Sequence, residues 1–420
     1  MKSSLLAILG GASTALAAVK GYNYASQGQT YDSFLSQFKT AASLAGTSDF
    51  TSARLYTMIQ EGTTDTPSSA FQAAIDTKTT LLLGLWASVD QTAFNNELNA
   101  LKSAISQYGS DFADLVVGIS VGSEDLYRIS PTGIAANSGI GQSPDVLVDY
   151  ISQVRDTIKD TSLGSAPVGH VDTWNVYVNA TNNPVIDSCD FLGLDEYPYF
   201  QTTDANSIDN GGFLFFQAYD KVAAVAQGKP IWITETGYPV SGPTSNLAVP
   251  GADDAAEYWQ QVACALENRG IDFWWYILAD EGASPSFGVS SNGKPLYNLA
   301  CNSTAGYTSA SSSASATSGS GNGTATWHNS GLSTSTATGS ASATTGGSSP
   351  SGASGATATG SLISGATGQA SGSAGATATA TTAEESSSTS ASTSFTGAAS
   401  RADGSMAGLA IGALAAALFW

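Results

Sequence analysis

Between Val19 and Ile277 eight short β-prone runs alternate with segments of helical length, and this alternation constrains the fold more than any other feature of the chain. The runs are Val19 to Tyr24, Ala53 to Thr57, Thr80 to Trp86, Leu115 to Val121, Pro167 to Asp172, Phe191 to Asp195, Ile231 to Glu235 and Ile271 to Ile277. The segments between them carry helical periodicity. Leu98, Leu101 and Ile105 share one face, as do Leu147, Ile151, Val154 and Ile158, and a further helix from Asp254 to Asn268 stops before Gly270, a suitable C-cap. Strands alternating with helices imply parallel pairing through right-handed crossovers, and eight such units imply a closed (β/α)8 TIM barrel. The stretch from Thr173 to Asp190 leaves room for little helix. An open doubly wound sheet is the alternative, yet no glycine-rich phosphate fingerprint follows the first run to support a nucleotide-binding version.

In such a barrel, chemistry sits at the C-terminal ends of the strands. The seventh run, Ile231 to Pro239 with its extension, delivers Glu235 to a point where Gly237 and Pro239 break the strand. The fourth delivers Glu124 at the end of Val121-Gly122-Ser123-Glu124, with Gly118, Ser120 and Gly122 on the same side and space expected beneath the acid. Two carboxyls facing one cleft are what glycoside hydrolysis needs: one is held protonated to serve the leaving oxygen, the other stays ionised. Aromatic residues recur near the expected strand ends: Tyr56, Trp86, Tyr127, Trp174, Tyr197, Tyr199, Trp275 and Tyr276. Such faces suit pyranose rings; each alone suits a core better, and it is their recurrence at the strand ends that points to a platform.

Other chemistries are poorly supplied. The two histidines are His170 and His328, and no GxSxG elbow accompanies the first. His170 would either donate a hydrogen bond in the cleft or sit satisfied in the core. No clustered ligands for a transition metal occur, and the acidic pairs Asp253-Asp254 and Asp280-Glu281, which could bind calcium, each read more simply as a helix start or a solvated loop. No metal or cofactor is called for. With 14 basic against 34 acidic residues and a net charge of −20, the chain has no Lys/Arg stripe for nucleic acid.

Composition changes abruptly after Cys301. Residues 302–400 are Ser, Thr, Ala and Gly with few large side chains, as in a disordered, O-glycosylated stalk. Residues 1–18 have the charge, apolar core and small-residue end of a secretory signal. Residues 401–420 have the polar spacer and apolar tail of a glycosylphosphatidylinositol (GPI) anchor signal, with Gly397, Ala398, Ala399 and Ser400 as candidate attachment residues. A spanning helix is the alternative, and the apolar run is short for one. Asn179, Asn302 and Asn322 open N-glycosylation sequons. Of the cysteines, Cys301 falls where the folded segment ends, so a bridge to Cys264 would pin that end and leave Cys189 as a buried thiol. The pairing is left open by the sequence.

The motifs KGYNY, ARLY, LGLW, VGSE, LDEYPYF, WITETGYP and FWWY, in this order from Val19 to Cys301, resemble glycoside hydrolase family 17, and most of all its fungal, cell-wall-anchored endo-1,3-β-glucosidases. The resemblance implies a barrel over residues 19–301, retaining cleavage of internal 1,3-β-glucan linkages, Glu124 as acid/base and Glu235 as nucleophile. Retention implies carboxyls about 5–5.5 Å apart, against roughly 6.5–9.5 Å for inversion. Tyr56, Trp86, Ser123, Trp174, Tyr197 and Trp275 are the expected substrate-binding residues. The family commonly has asparagine where Ser123 stands, and the loop from Asp280 to Ser286 is short of charge, so substrate length preference is open. The expected partner is 1,3-β-glucan and the expected state a monomer, secreted and held at membrane and wall by the anchor. Alternatives are a 1,3-β-glucanosyltransferase and a non-catalytic glucan-binding wall mannoprotein.

Overall fold

The structure is a computed structural model and describes residues 18–280 and 282–301. The expected secretion signal apart from Ala18, the expected stalk with Asn302 and Asn322, and the candidate anchor residues 397–400 lie outside the described residues. Eight strands close into a barrel in sequence order: β1 (Lys20–Asn23), β2 (Ser52–Arg54), β3 (Thr80–Leu85), β4 (Val116–Val121), β5 (Val168–Thr173), β6 (Leu192–Asp195), β7 (Ile231–Glu235) and β8 (Phe273–Trp275). All neighbours pair parallel, and β8 closes on β1 through Lys20 opposite Phe273. The expected (β/α)8 barrel is therefore observed.

Helices α1 (Tyr31–Ser43), α2 (Ala70–Thr77), α3 (Gln91–Ala113), α4 (Asp125–Ile129), α5 (Pro131–Ala135), α6 (Pro144–Ile158), α7 (Trp174–Tyr177), α8 (Asn183–Ser188), α9 (Ile208–Ala223), α10 (Ala252–Tyr258) and α11 (Cys264–Arg269) connect the strands. Their starts follow local chemistry. The Thr30 and Ser33 side chains form a reciprocal cap on α1, Asp90 accepts from Ala93 N–H at the start of α3, and Ser143 with Pro144 opens α6. Gly270 ends α11 at φ 66°, as its sequence position predicts. The segment between β5 and β6 holds the short α7 and α8 with a 3-10 turn between them, as its length allowed. Asp253 and Asp254 sit in the first turn of α10. Asp280 binds loop backbone, accepting from Phe287 N–H and Gly288 N–H.

The barrel interior is filled in two layers. The lower one is aromatic. Phe191 stacks on Trp232 with ring centres 3.8 Å apart, and Trp274 packs against Trp232 and donates its indole N–H to Ser52 Oγ, passing over Gly21 of the intervening β1. A Cβ on Gly118 would lie 2.6 Å from the Trp232 ring. Gly118 is small because a tryptophan from the opposite wall occupies its place, which corrects the expectation of open space beneath Glu124. The ring is held by Phe191 and Trp274, so Gly118→Ala should overpack the site and cost about 1–3 kcal/mol in urea unfolding. An unchanged midpoint would show that Trp232 can move aside.

Outside the strands lies the second core, against the helices. Trp259 is fully buried, donates to Leu299 O at 2.8 Å and packs on Trp275 with ring centres 4.7 Å apart. The Cys264–Cys301 disulfide ties the last described residue to α11, and Cys189 is a buried free thiol, in line with the reading from position.

Candidate active site

The upper layer of the barrel is polar and built around one guanidinium. Arg54, at the end of β2, is 1% exposed. Its Nη1 donates to Glu235 Oε1 and, at 2.8 Å, to Asn23 Oδ1, and its Nη2 donates to Ser123 Oγ at 3.1 Å. Asn23, at the end of β1, is itself fixed by donating to Thr234 O and Trp274 O, each at 3.0 Å. The Tyr56 hydroxyl donates to Glu235 Oε1 at 2.7 Å and the Tyr197 hydroxyl to Oε2 at 2.8 Å. Every one of these partners of Glu235 is a donor. Its oxygens therefore accept throughout and hold negative charge in place.

Glu124 has the opposite surroundings. It is 2% exposed, and its Oε2 has no hydrogen-bond partner among the described residues, the nearest cation being Arg128 Nη2 at 3.7 Å. Burial pushes its pKa up to about 8; Arg128 works against the shift and the charge of Glu235 adds to it. Two chemically equal carboxyls are thus separated by environment alone. Asp195, at the end of β6, is a third buried carboxyl. It accepts from Thr234 Oγ1 at 2.6 Å and lies 3.8 Å from Arg54, and burial with the charge of Glu235 raises it well above the usual carboxylate range.

Glu124 follows β4 with φ 58° and ψ 25°. A left-handed glutamate costs roughly 1–2 kcal/mol relative to an ordinary conformation. The turn is held by Glu124 N–H donating to Val171 O at 2.9 Å and by Arg128 Nη1 donating to Ser123 O at 2.6 Å. Gly122 is required here, since a Cβ would lie 2.0 Å from Asp125 Oδ2 and the residue has φ 82°. The guanidinium of Arg128 stacks over Trp86 at 4.9 Å, which leaves that half-buried ring beside the acid.

Of the expected substrate-binding residues, Tyr56, Ser123 and Tyr197 are joined to Glu235 directly or through Arg54, and Trp86 adjoins Glu124 through Arg128. Trp174 lines a separate recess of about 210 Å³ with Asn175, Gln201, Asp204, Gln217 and Lys221, whose ammonium lies 4.0 Å over its ring. Trp275 is not in the cleft: it is fully buried and faces Tyr258 and Trp259 on the helix side of β8. Tyr127 and Tyr199 are likewise fully buried, so the run of mouth aromatics is shorter than the sequence implied. Tyr276 is 6% exposed and meets Tyr197 edge-on. The exposed Asn179 accepts from Thr181 N–H and Oγ1 at the surface.

Arg54, Asn23, Asp195 and Arg128 were not singled out from the sequence. The available signal was a charged or amide side chain at the end of an apolar run, and Arg54 in Ser52-Ala53-Arg54 carried it most plainly. A further buried acid, Glu97 of α3, accepts from Thr57 Oγ1 and Met58 N–H and is pushed up to about 7 by burial. It ties down the loop that follows Tyr56.

A profile of the BtgE/BtgC glycoside hydrolase domain matches residues 18–288. The chain is 52% identical over 312 residues to an Aspergillus fumigatus protein named "Probable glucan endo-1,3-beta-glucosidase eglC", with 72% of this chain and 69% of that protein covered. An Aspergillus oryzae protein of the same name is 53% identical over 320 residues, covering 73% of this chain and 68% of that protein. Among solved structures, the glycoside hydrolase family 17 β-1,3-glucanosyltransferase of Rhizomucor miehei matches with a TM-score of 0.54 at 25% identity, over 66% of this chain and 97% of that one. The matched residues include the whole barrel with Glu124 and Glu235, and the chain belongs to the BtgE/BtgC glycoside hydrolases, a glycosidase of the family 17 kind.

Proposed function

We propose that this chain cleaves internal linkages of 1,3-β-glucan by a retaining double displacement, with Glu235 as nucleophile and Glu124 as acid/base. The observation that carries this reading is the division of the two carboxyls: Glu235 is ringed by donors, while Glu124 is buried with its pKa near 8. A Glu235 oxygen attacks the anomeric carbon while Glu124 gives its proton to the departing glycosidic oxygen. The ester so formed no longer carries the negative charge that added to the effect of burial on Glu124, whose hold on its proton is thereby weakened. Its carboxylate can then take a proton from the water that releases the sugar. Trp86 offers a ring face next to the acid, and the Trp174 recess offers a second one with hydrogen-bonding amides.

Proton NMR of the first-formed reducing end tests the stereochemistry: the β-anomer supports the double displacement, and the α-anomer would overturn it. If a sugar hydroxyl replaces water in the second step, the outcome is glucanosyl transfer. The Rhizomucor relative, a glucanosyltransferase by name, favours keeping this second reading. Products longer than the starting oligosaccharide would identify it. A wall protein that only binds glucan would release no reducing ends. We place the enzyme outside the cell, secreted through residues 1–18 and anchored through one of residues 397–400. Release from membranes by a phosphatidylinositol-specific phospholipase is the test.

The raised pKa of Glu124 gives two expectations of definite sign. kcat/KM should fall about tenfold per pH unit above roughly pH 8 as the acid loses its proton. The same ionisation works against the fold: stability is fully present below the usual carboxylate pKa and is lost as pH rises through the raised one. Glu124→Gln should therefore abolish the alkaline limb together with most activity on glucan, yet raise the melting temperature at pH 8–9. A lowered melting temperature in that range would contradict the assignment of Glu124 as the protonated carboxyl.

A further inference from the structure

Behind the barrel wall, on the side of β5 that faces α4, lies a buried ionic arrangement that no catalytic step uses. His170 and Asp172 are both fully buried. The ring of His170 places Nδ1 2.7 Å from Val121 O and Nε2 3.0 Å from Asp172 Oδ2. A carbonyl oxygen can only accept, so Nδ1 carries a proton. The remaining partners of Asp172 are backbone N–H groups, those of Leu126 at 2.9 Å, Tyr127 at 3.3 Å and Thr173 at 2.9 Å. Three backbone N–H groups on its two oxygens suit a carboxylate, and with Asp172 in that form Nε2 is the donor to it. The ring then has both N–H groups and a positive charge, with Asp172 as its counter-ion.

The position of this pair is informative. Glu124 occupies the N-cap position of α4 and makes no side-chain cap, because its carboxyl belongs to the cleft. The first N–H groups of the helix still need acceptors. Asp172 reaches over from β5 to supply them, and His170 holds the other end of the turn at Val121 O. The left-handed Glu124 lies between these two grips. The neighbouring groups are consistent with this charge distribution. Asp125 from α4 is buried, and its own partner is Ser88 Oγ at 2.5 Å. Tyr177 from α7 donates to His170 O at 2.8 Å. The thiol of Cys189 is pushed up to about 12 by burial and stays neutral. Burial works against the imidazolium, while Asp172 and then Asp125 favour it, and the net effect raises His170 above its ordinary range.

We propose that the His170 imidazolium and the Asp172 carboxylate form the positioning device of the general acid, gripping the β4–α4 turn on both sides of Glu124. The charge state of the pair is independent of the catalytic reading, whereas its role in positioning rests on Glu124 being the acid.

Two measurements on the full chain test these parts separately. In protein labelled with 15N-histidine and carrying His328→Gln, the remaining His170 should show two protonated ring nitrogens at pH 7. One protonated and one bare nitrogen would overturn the ion pair, whatever the enzyme does. In the second measurement His170→Gln is compared with the parent on two substrates. On a laminari-oligosaccharide, whose leaving group needs a proton, kcat should drop roughly 10–100-fold with KM changed less than about twofold, the range expected for a misplaced catalytic group. On a β-glucosyl fluoride, whose leaving group needs no acid, kcat/KM, which reports only the steps through release of fluoride, should stay near that of the parent. Equal losses on both substrates, or no loss on either, would overturn the positioning role. A parent that releases nothing from glucan would instead overturn the proposed function, and the NMR result would still stand on its own.

Discussion

Replacing Glu235 by glutamine is expected to lower kcat on 1,3-β-glucan by on the order of 10⁴–10⁶-fold, the scale seen when a nucleophile is removed from an otherwise intact site. The substitution keeps size and shape. The amide oxygen can still accept from Arg54 Nη1 and Tyr56, while the amide nitrogen faces the Tyr197 hydroxyl, which can rotate to accept. The fold should therefore survive, and the loss should be chemical. With a slow 2-fluoro glycosyl donor, mass spectrometry of the parent should find the sugar on a peptide containing Glu235, and the variant should form no adduct. The informative contrary result is an adduct on Asp195. That carboxyl is buried in the same cluster, and its pKa is raised partly by the charge of Glu235. A sugar found there in the parent would reassign the nucleophile, whereas one found only in the variant would show that losing the Glu235 charge eases the ionisation of Asp195.

Arg54→Leu should be nearly as damaging and for a different reason. The guanidinium is the cation shared by Glu235 and Asp195, and it also holds Asn23 and Ser123. Removing one partner of a buried ion pair typically costs about 3–5 kcal/mol, because the remaining charge is left without compensation. Urea unfolding at pH 7 should show a loss of that size, and it should shrink at acid pH as the abandoned carboxyls take up protons. Activity should fall as well, since Glu235 Oε1 loses the guanidinium N–H that fixes it. Lysine is not expected to rescue either property: it supplies one point charge where Arg54 spans Glu235, Asn23 and Ser123 with a rigid fork. Full stability in Arg54→Lys would show that charge alone, and not the fork, organises the cluster.

The barrel was legible because each strand is a short apolar run bounded by turn residues, and the helices show one buried face. Strand ends were less legible. The second run was read to Thr57, whereas β2 stops at Arg54 and the chain leaves the barrel carrying Tyr56 toward Glu235. Which face of a strand points inward was harder still. Parallel strands are covered on both sides, so both faces are apolar and alternation gives no sign. For that reason Trp275 was expected in the cleft although Trp274 is the residue inside the barrel, and Gly118 was read as open space although Trp232 fills it. His170 was left between cleft and core, and its partners on the α4 side place it in the wall between them.

What the sequence determined by itself is the fold class and the identity of the acids at two strand ends, because periodicity and strand-breaking residues are local properties. What only the tertiary structure decided is the difference between those acids. Glu124 and Glu235 have the same side chain, and nothing local distinguishes the surroundings of one from those of the other. Their division arises from Arg54, Tyr56 and Tyr197 converging on one while burial isolates the other. Those partners lie far from Glu235 along the chain, and only closure of the barrel brings their charges and hydroxyls within hydrogen-bonding distance.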